Sequence, residues 1–184
     1  MIESFREHAR GVAAFFKLLK EGRLKDLDAI MEQGKAVGLF QIDRFDENGK
    51  LFDRGKPFHN IFVNTGLAEV WKLVTAQGGT AFSNANAYLG VGDSSTAPAV
   101  SQTDLQAATN KLRKAMNASY PNAPANGLEQ WQSDFTGSDA NYAWNEFAVF
   151  NASSAGVMMD RATSTQGTKT SGQTWRLTFS FTLS

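Results

Sequence analysis

The chain contains no cysteine. That excludes a disulfide framework, a thiolate metal site and a cysteine nucleophile, so packing must hold the fold together. Histidine is nearly as scarce, with only His8 and His59 present. A nucleophile-base-orienter triad or a zinc site of three or four ligands has little to draw on. Neither sign of charge is in excess, since 18 Lys and Arg face 18 Asp and Glu, and the electrostatic footprint of a nucleic-acid binder is missing. No apolar run approaches the length of a membrane span, and the opening MIESFREHARGVAAFFKLLKEG is interrupted by charges throughout, unlike a secretory leader. These absences predict a soluble chain made in a cytoplasm, with no nucleic-acid or membrane partner, no cofactor, no bound metal and no catalytic residues.

What is present is unevenly distributed. A length of 184 residues suits one domain plus an appendage. Residues 1–57 carry 11 basic and 10 acidic side chains, whereas the remaining 127 residues carry 7 and 8. The charged front predicts an N-terminal helical arm over residues 1–34, and the rest a separate domain over 35–184. Within the arm, Val12, Phe15, Phe16 and Leu19 fall at i, i+3, i+4 and i+7, on one helical face. Leu24, Leu27, Ile30 and Met31 form a second short stripe, with Gly22 and Gly34 as stops. The first face is predicted to dock on a partner; the competing reading buries it against the chain's own core.

AVGLFQIDRFDENGKLFDRG reads as a hairpin. Phe40 and Ile42 alternate with polar neighbours, Asn48-Gly49 marks the turn, and Leu51 and Phe52 resume the apolar pattern. The acidic turn lacks the spacing and distal glutamate of a calcium loop. FHNIFVNTGLAEVWKLV follows as a strand-to-helix joint. Asn64 or Thr65 is expected to cap the helix, Glu69 to favour its first turn, and Leu67, Val70, Trp71 and Val74 to repeat at helical spacing. Gly66 is expected to permit a close approach of strand and helix. His59 is read as a strand-end residue, not a base.

From residue 75 onward, Ala, Ser, Thr, Asn, Gly and aromatics dominate, as in short strands joined by polar loops. AYLGVG reads as a buried strand. The following GVGDSS lacks the Gly-Lys-Ser/Thr ending of a phosphate-binding loop. KLRKAMNASYPNAPANG reads as a strand and a proline-rich loop, and further strands fall near LEQWQSDFTG, NEFAVFNAS and VMMDRATS. The closing strand is clearest: Trp175, Leu177, Phe179, Phe181 and Leu183 share one face. Six or more strands with one interposed helix predict a mainly β protein, a β-sandwich of Greek-key or jelly-roll type with an N-terminal α-helical arm. Few lysines guard its strand edges, so a homo-oligomer, a trimer or dimer, is expected.

The ordered set DRFDENGKL, FHNIFVNTGL with its helix, AYLGVGDSSTAP, DL before a basic strand, NEFAVFNASSAGVMMDRATS and TWRLTFSFTL resembles structural proteins of tailed-bacteriophage virions. The resemblance spans residues 38–184 and excludes the arm. It rests on Asn60, Asn64 and Gly66 in the joint, Gly90 and Gly92 in the G-x-G turn, and Glu146, Phe150 and Arg161 in a pair of strands. It implies scaffold positions, not sites. The implied role is a non-enzymatic decoration (cement) protein on the capsid surface of a virion, reinforcing contacts between major capsid subunits; the alternative is a tail, neck or fibre component. The implied partner is the major capsid protein or another virion protein. From a different class, a carbohydrate-binding sandwich could stack Trp131, Tyr142, Trp144 or Trp175 on sugar rings, and Asp134, Asp139 and Glu146 could supply a hydrolytic carboxylate pair.

Overall fold

The closing alternation, TWRLTFSFTL, forms the ten-residue strand Thr174–Leu183, with Trp175, Leu177 and Phe179 buried. Phe181 is half-buried and Leu183 exposed, so the inward face of this strand fades at its C-terminal end. In the computed structural model, which describes residues 36–183, it is β11 of a mainly β fold. The other strands are β1 (Ala36–Phe45), β2 (Leu51–Arg54), β3 (Phe58–His59), β4 (Ile61–Phe62), β5 (Tyr88–Gly92), β6 (Lys111–Ala115), β7 (Asn122–Ala125), β8 (Leu128–Phe135), β9 (Glu146–Phe150) and β10 (Met158–Thr163). One helix, α1 (Asn64–Val74), follows β4. The expected boundary after residue 34 and the Val12, Phe15, Phe16, Leu19 face lie outside the described residues.

The strands form two antiparallel sheets. One runs β2-β1-β11-β8-β7, with β3 also paired to β1, and the other runs β4-β10-β9-β5-β6. The inward residues of both meet in one core: Phe40 and Ile42 of β1, Phe135 of β8, and Leu177 and Phe179 of β11 against Leu89 and Val91 of β5 and Phe147 and Val149 of β9. Period-two alternation delivers these residues to one face, and Phe40 and Phe179 bring their ring centroids to 4.8 Å. This is the arrangement of a β-sandwich. β9 is buried along its whole length because it has two apolar faces. Phe147 and Val149 join the main core, while Ala148 and Phe150 join a second cluster with Val63, Leu105 and Met158.

The β1–β2 hairpin forms around DENGK. Asp46 Oδ1 accepts the N–H groups of Asn48 and Lys50, and Gly49 takes φ +75°, a left-handed conformation that glycine adopts without penalty. Beyond the turn the apolar pattern does not resume inward. β2 is an edge strand whose four residues are all exposed, Leu51 and Phe52 included. The hairpin is fastened by Arg54 to Asp43 and by Arg44 to Asp53. Two other edges are better guarded than composition suggests: β6 carries Lys111, Arg113 and Lys114, and β7 forms within the expected proline-rich loop, with Pro124 unable to donate to a further strand.

At the joint, α1 is not capped by Asn64 or Thr65. The helix begins at Asn64, Val63 occupies the cap position without a side-chain bond, and the Asn64 N–H donates to the Val100 carbonyl at 2.8 Å. A tertiary acceptor replaces the local cap. Gly66 is buried on β10, and a Cβ placed there would overlap the carbonyl oxygen of Met159. Gly66→Ala is therefore expected to cost about 1–3 kcal/mol, because backbone must move to admit the methyl. A thermal melt unchanged from the parent would refute this account of the joint.

Candidate functional site

Five of the residues singled out by sequence come together around β5, β9 and β10. Gly92 lies opposite Glu146 in the β5–β9 register, and Gly90 lies opposite Ala148. A Cβ on Gly92 would strike Glu146 Oε1; one on Gly90 would lie 2.7 Å from the Phe150 ring. The two glycines open the space that the Glu146 carboxylate and the Phe150 ring occupy. Arg161 on β10 reaches the same carboxylate, with Nη2 at 2.7 Å and Nε at 3.1 Å from Oε2. Both side chains are 0% exposed.

This pair clamps the long connection between β5 and β6. Glu146 Oε2 accepts the Gln106 N–H at 2.8 Å and Oε1 accepts the Ala107 N–H at 2.7 Å. Arg161 Nη1 donates to the Thr96 carbonyl at 2.8 Å and to Gln102 Oε1 at 3.0 Å. Each charge is satisfied by its partner and by groups of that connection, the condition under which a buried ion pair is tolerated.

Asn60, from the same joint motif, serves a second buried carboxylate. Its Nδ2 donates to Asp160 Oδ2 at 2.7 Å, and the Val149 N–H donates to Asp160 Oδ1 at 3.0 Å where the β9–β10 register is bulged. Asp160 is 0% exposed and among the described residues takes part in no ion pair. Burial pushes its carboxyl up to about 8, against the pull of the Val149 and Asn60 donors.

Two further buried charges are spent in the same way. Glu69, expected to favour the first turn of α1, lies beyond that turn because the helix begins at Asn64, and it is 4% exposed: Oε1 accepts the Thr80 N–H and the amide of Asn151, and Lys72 lies beyond it. Lys169 donates to the Gly137 carbonyl at 3.0 Å and to Asn141 Oδ1 at 2.9 Å. Burial pushes its ammonium below the usual lysine range, against the attraction of Asp139.

The aromatics considered for sugar stacking belong to the core. Trp131, Trp144 and Trp175 are 7%, 0% and 3% exposed, and the Tyr142 hydroxyl donates to the Val91 carbonyl at 3.3 Å. The candidate hydrolytic carboxylates are paired apart: Asp134 with Arg176, Asp139 with Lys114, Glu146 with Arg161. Burial would raise Asp134, but hydrogen bonds from Arg176 and Asn117 hold it below the usual carboxylate range. A surface cavity of about 350 Å³ holds Asp104, Lys111 and Arg113, which spend their charge on one another. His59 is exposed on β3, paired with Leu39 of β1. Among the described residues, no three His, Cys, Asp or Glu groups converge as a metal site would require, and no helix is long and apolar enough to cross a membrane.

The feature that sequence periodicity did not sort is the outer side of α1. Gly66 and Glu69 are buried and Val70 and Leu73 pack on the main core, while Leu67, Trp71 and Val74 point outward at 45%, 65% and 71% exposure. Val100, 51% exposed, lies beyond the helix N-terminus, where its carbonyl meets Asn64. The signal available in the sequence was an apolar helix with residues on both faces. No protein-family model, no curated protein and no solved structure matches the chain.

Proposed function

We propose that the chain is a non-enzymatic structural protein of a tailed-bacteriophage virion, a decoration protein on the capsid surface that reinforces contacts between major capsid subunits. The finer fold that goes with this reading is a Greek-key or jelly-roll sandwich, made in the host cytoplasm and carried on the particle. The observation that supports it is the use of the buried ionisable groups. Glu69, Glu146, Asp160, Arg161 and Lys169 all hold strands or connections in place. The motif residues Asn60, Gly66, Gly90, Gly92, Glu146, Phe150 and Arg161 all belong to this framework or to the α1 joint. Chemistry that a catalyst would aim at a substrate is spent here on rigidity, the requirement of a subunit that must survive dilution on a particle without a cofactor. Trp131, Trp144 and Trp175, the tryptophans named for sugar stacking, serve the core instead, which favours the structural reading over the carbohydrate-binding one.

The test is the copy number on purified particles, measured by quantitative mass spectrometry against the major capsid protein. Copies in the hundreds place the protein on the capsid lattice. About a dozen or fewer place it at the tail, neck or fibre, where closed rings of low symmetry occur. Absence from particles would overturn the reading.

A further inference from the structure

The outer face of α1 carries three large apolar side chains on an 11-residue helix, a length of about 16 Å. Together they expose roughly 350 Å² of largely apolar surface, at the scale of the largest patch a monomer usually shows. That is about half of the roughly 800 Å² that each partner contributes to a standard interface. The patch is too small for stable face-to-face docking of two domains and is the right size for one helix.

We propose that this face is the seat for the N-terminal segment of a second copy of the chain, with Val12, Phe15, Phe16 and Leu19 packed along Leu67, Trp71 and Val74. The inference rests on the reading of the protein as an assembling structural subunit. Thirty-five residues precede the described domain, and their sequence holds an apolar set at i, i+3, i+4 and i+7, the anchor spacing by which one helix lies along another apolar surface. Residues 20–35 separate that set from β1; with the Leu24–Met31 stripe helical, as its spacing predicts, they reach about 40 Å, enough to meet a neighbouring copy. Reciprocal exchange covers two such faces in one dimer, bringing the total to the standard range that a single α1–α1 contact does not reach. It also assigns an apolar partner to the most exposed tryptophan of the domain.

The absence of native cysteine makes the test direct. Full-length Lys20→Cys is mixed with isotopically heavy, full-length Ala68→Cys, oxidised, and analysed by mass spectrometry; by helical spacing each position flanks the apolar face it reports on. Each chain holds one thiol, so a heavy–light disulfide joining positions 20 and 68 reports contact between copies. Its yield is expected to exceed several-fold that of a control pairing Lys20→Cys with Asn48→Cys at the hairpin tip. In parallel, full-length Trp71→Glu is expected to weaken self-association by about thirtyfold or more in analytical ultracentrifugation, with an unchanged thermal melt. A parent chain that stays monomeric at high micromolar concentration overturns the proposal, as does a 20–68 yield no higher than the control. A doubly substituted chain that closes only on itself also overturns it, by placing the segment on its own copy. Copy number on the particle is read separately, so exchange between copies can hold where the capsid placement fails, and the reverse.

Discussion

Glu146→Ala is expected to lower the free energy of unfolding by about 3–5 kcal/mol. The substitution leaves the Arg161 guanidinium buried without its counter-charge and strips the Gln106 and Ala107 N–H groups of their acceptor. Restoring water to these groups would require the connection from Thr96 to Ala107 to lift from the sheet. The double variant Glu146→Gln with Arg161→Met is expected to be less damaged than Glu146→Ala, since no uncompensated charge remains and an amide oxygen still accepts one N–H. Urea unfolding of the parent and both variants checks this. A loss below about 1 kcal/mol for Glu146→Ala would mean that the pair contributes no net support.

The second large effect is a dependence of stability on pH. The Asp160 carboxyl is raised from its ordinary 3.8 to about 8 in the folded chain, so the folded state holds a proton that the unfolded state releases between those values. Stability from this group is fully present below about pH 4 and is lost as pH rises through about 8, with a slope of at most about 1.4 kcal/mol per pH unit. Asp104, Asp134 and Asp139 act with the opposite sign. Burial raises each, but hydrogen bonds and charge from neighbouring cations hold each below 3.8 overall, so their contributions are lost as pH falls through those depressed values. The melting temperature is therefore expected to be highest in mildly acidic buffer and to decline toward pH 8. Asp160→Asn keeps an oxygen for the Val149 N–H and lets the Asn60 amide turn to pair with it; this variant should flatten the decline between pH 5 and 8. An equally steep decline in the variant would remove Asp160 from the account.

Some of this architecture was legible in the sequence because it is encoded locally. Strict alternation from Trp175 onward specified a strand that is core as far as Phe179, Asn48-Gly49 specified a hairpin, and the apolar spacing after Asn64 specified a helix. Glu146 and Arg161, read as lying in a pair of strands, meet in an ion pair, while Asn60 and Gly66 of the joint each contact β10, at Asp160 and Met159. What failed was set by distant groups. The α1 N-terminus is satisfied by Val100, so no local cap was needed where Asn64 and Thr65 suggested one. Glu69 turned inward because the Thr80 N–H and the Asn151 amide wait for it, and that rotation sends Trp71 outward. Asp160 sits inside the strand pattern like an outward-facing acid, until the β9–β10 bulge presents it with the Val149 N–H. Leu51 and Phe52 follow the strand pattern and lie exposed, because the sheet ends at β2.

The connection held by Glu146 and Arg161 has a further consequence for anything that binds over it. A surface loop of this length ordinarily samples many shapes and must be frozen when a partner arrives, at a conformational cost charged against affinity. Here the freezing has already occurred during folding, through contacts that no partner has to supply. Residues 94–107 meet an incoming surface as a preorganised relief, so a neighbour that fits it gains nearly the whole of its contact energy, while one that does not fit finds nothing that will yield.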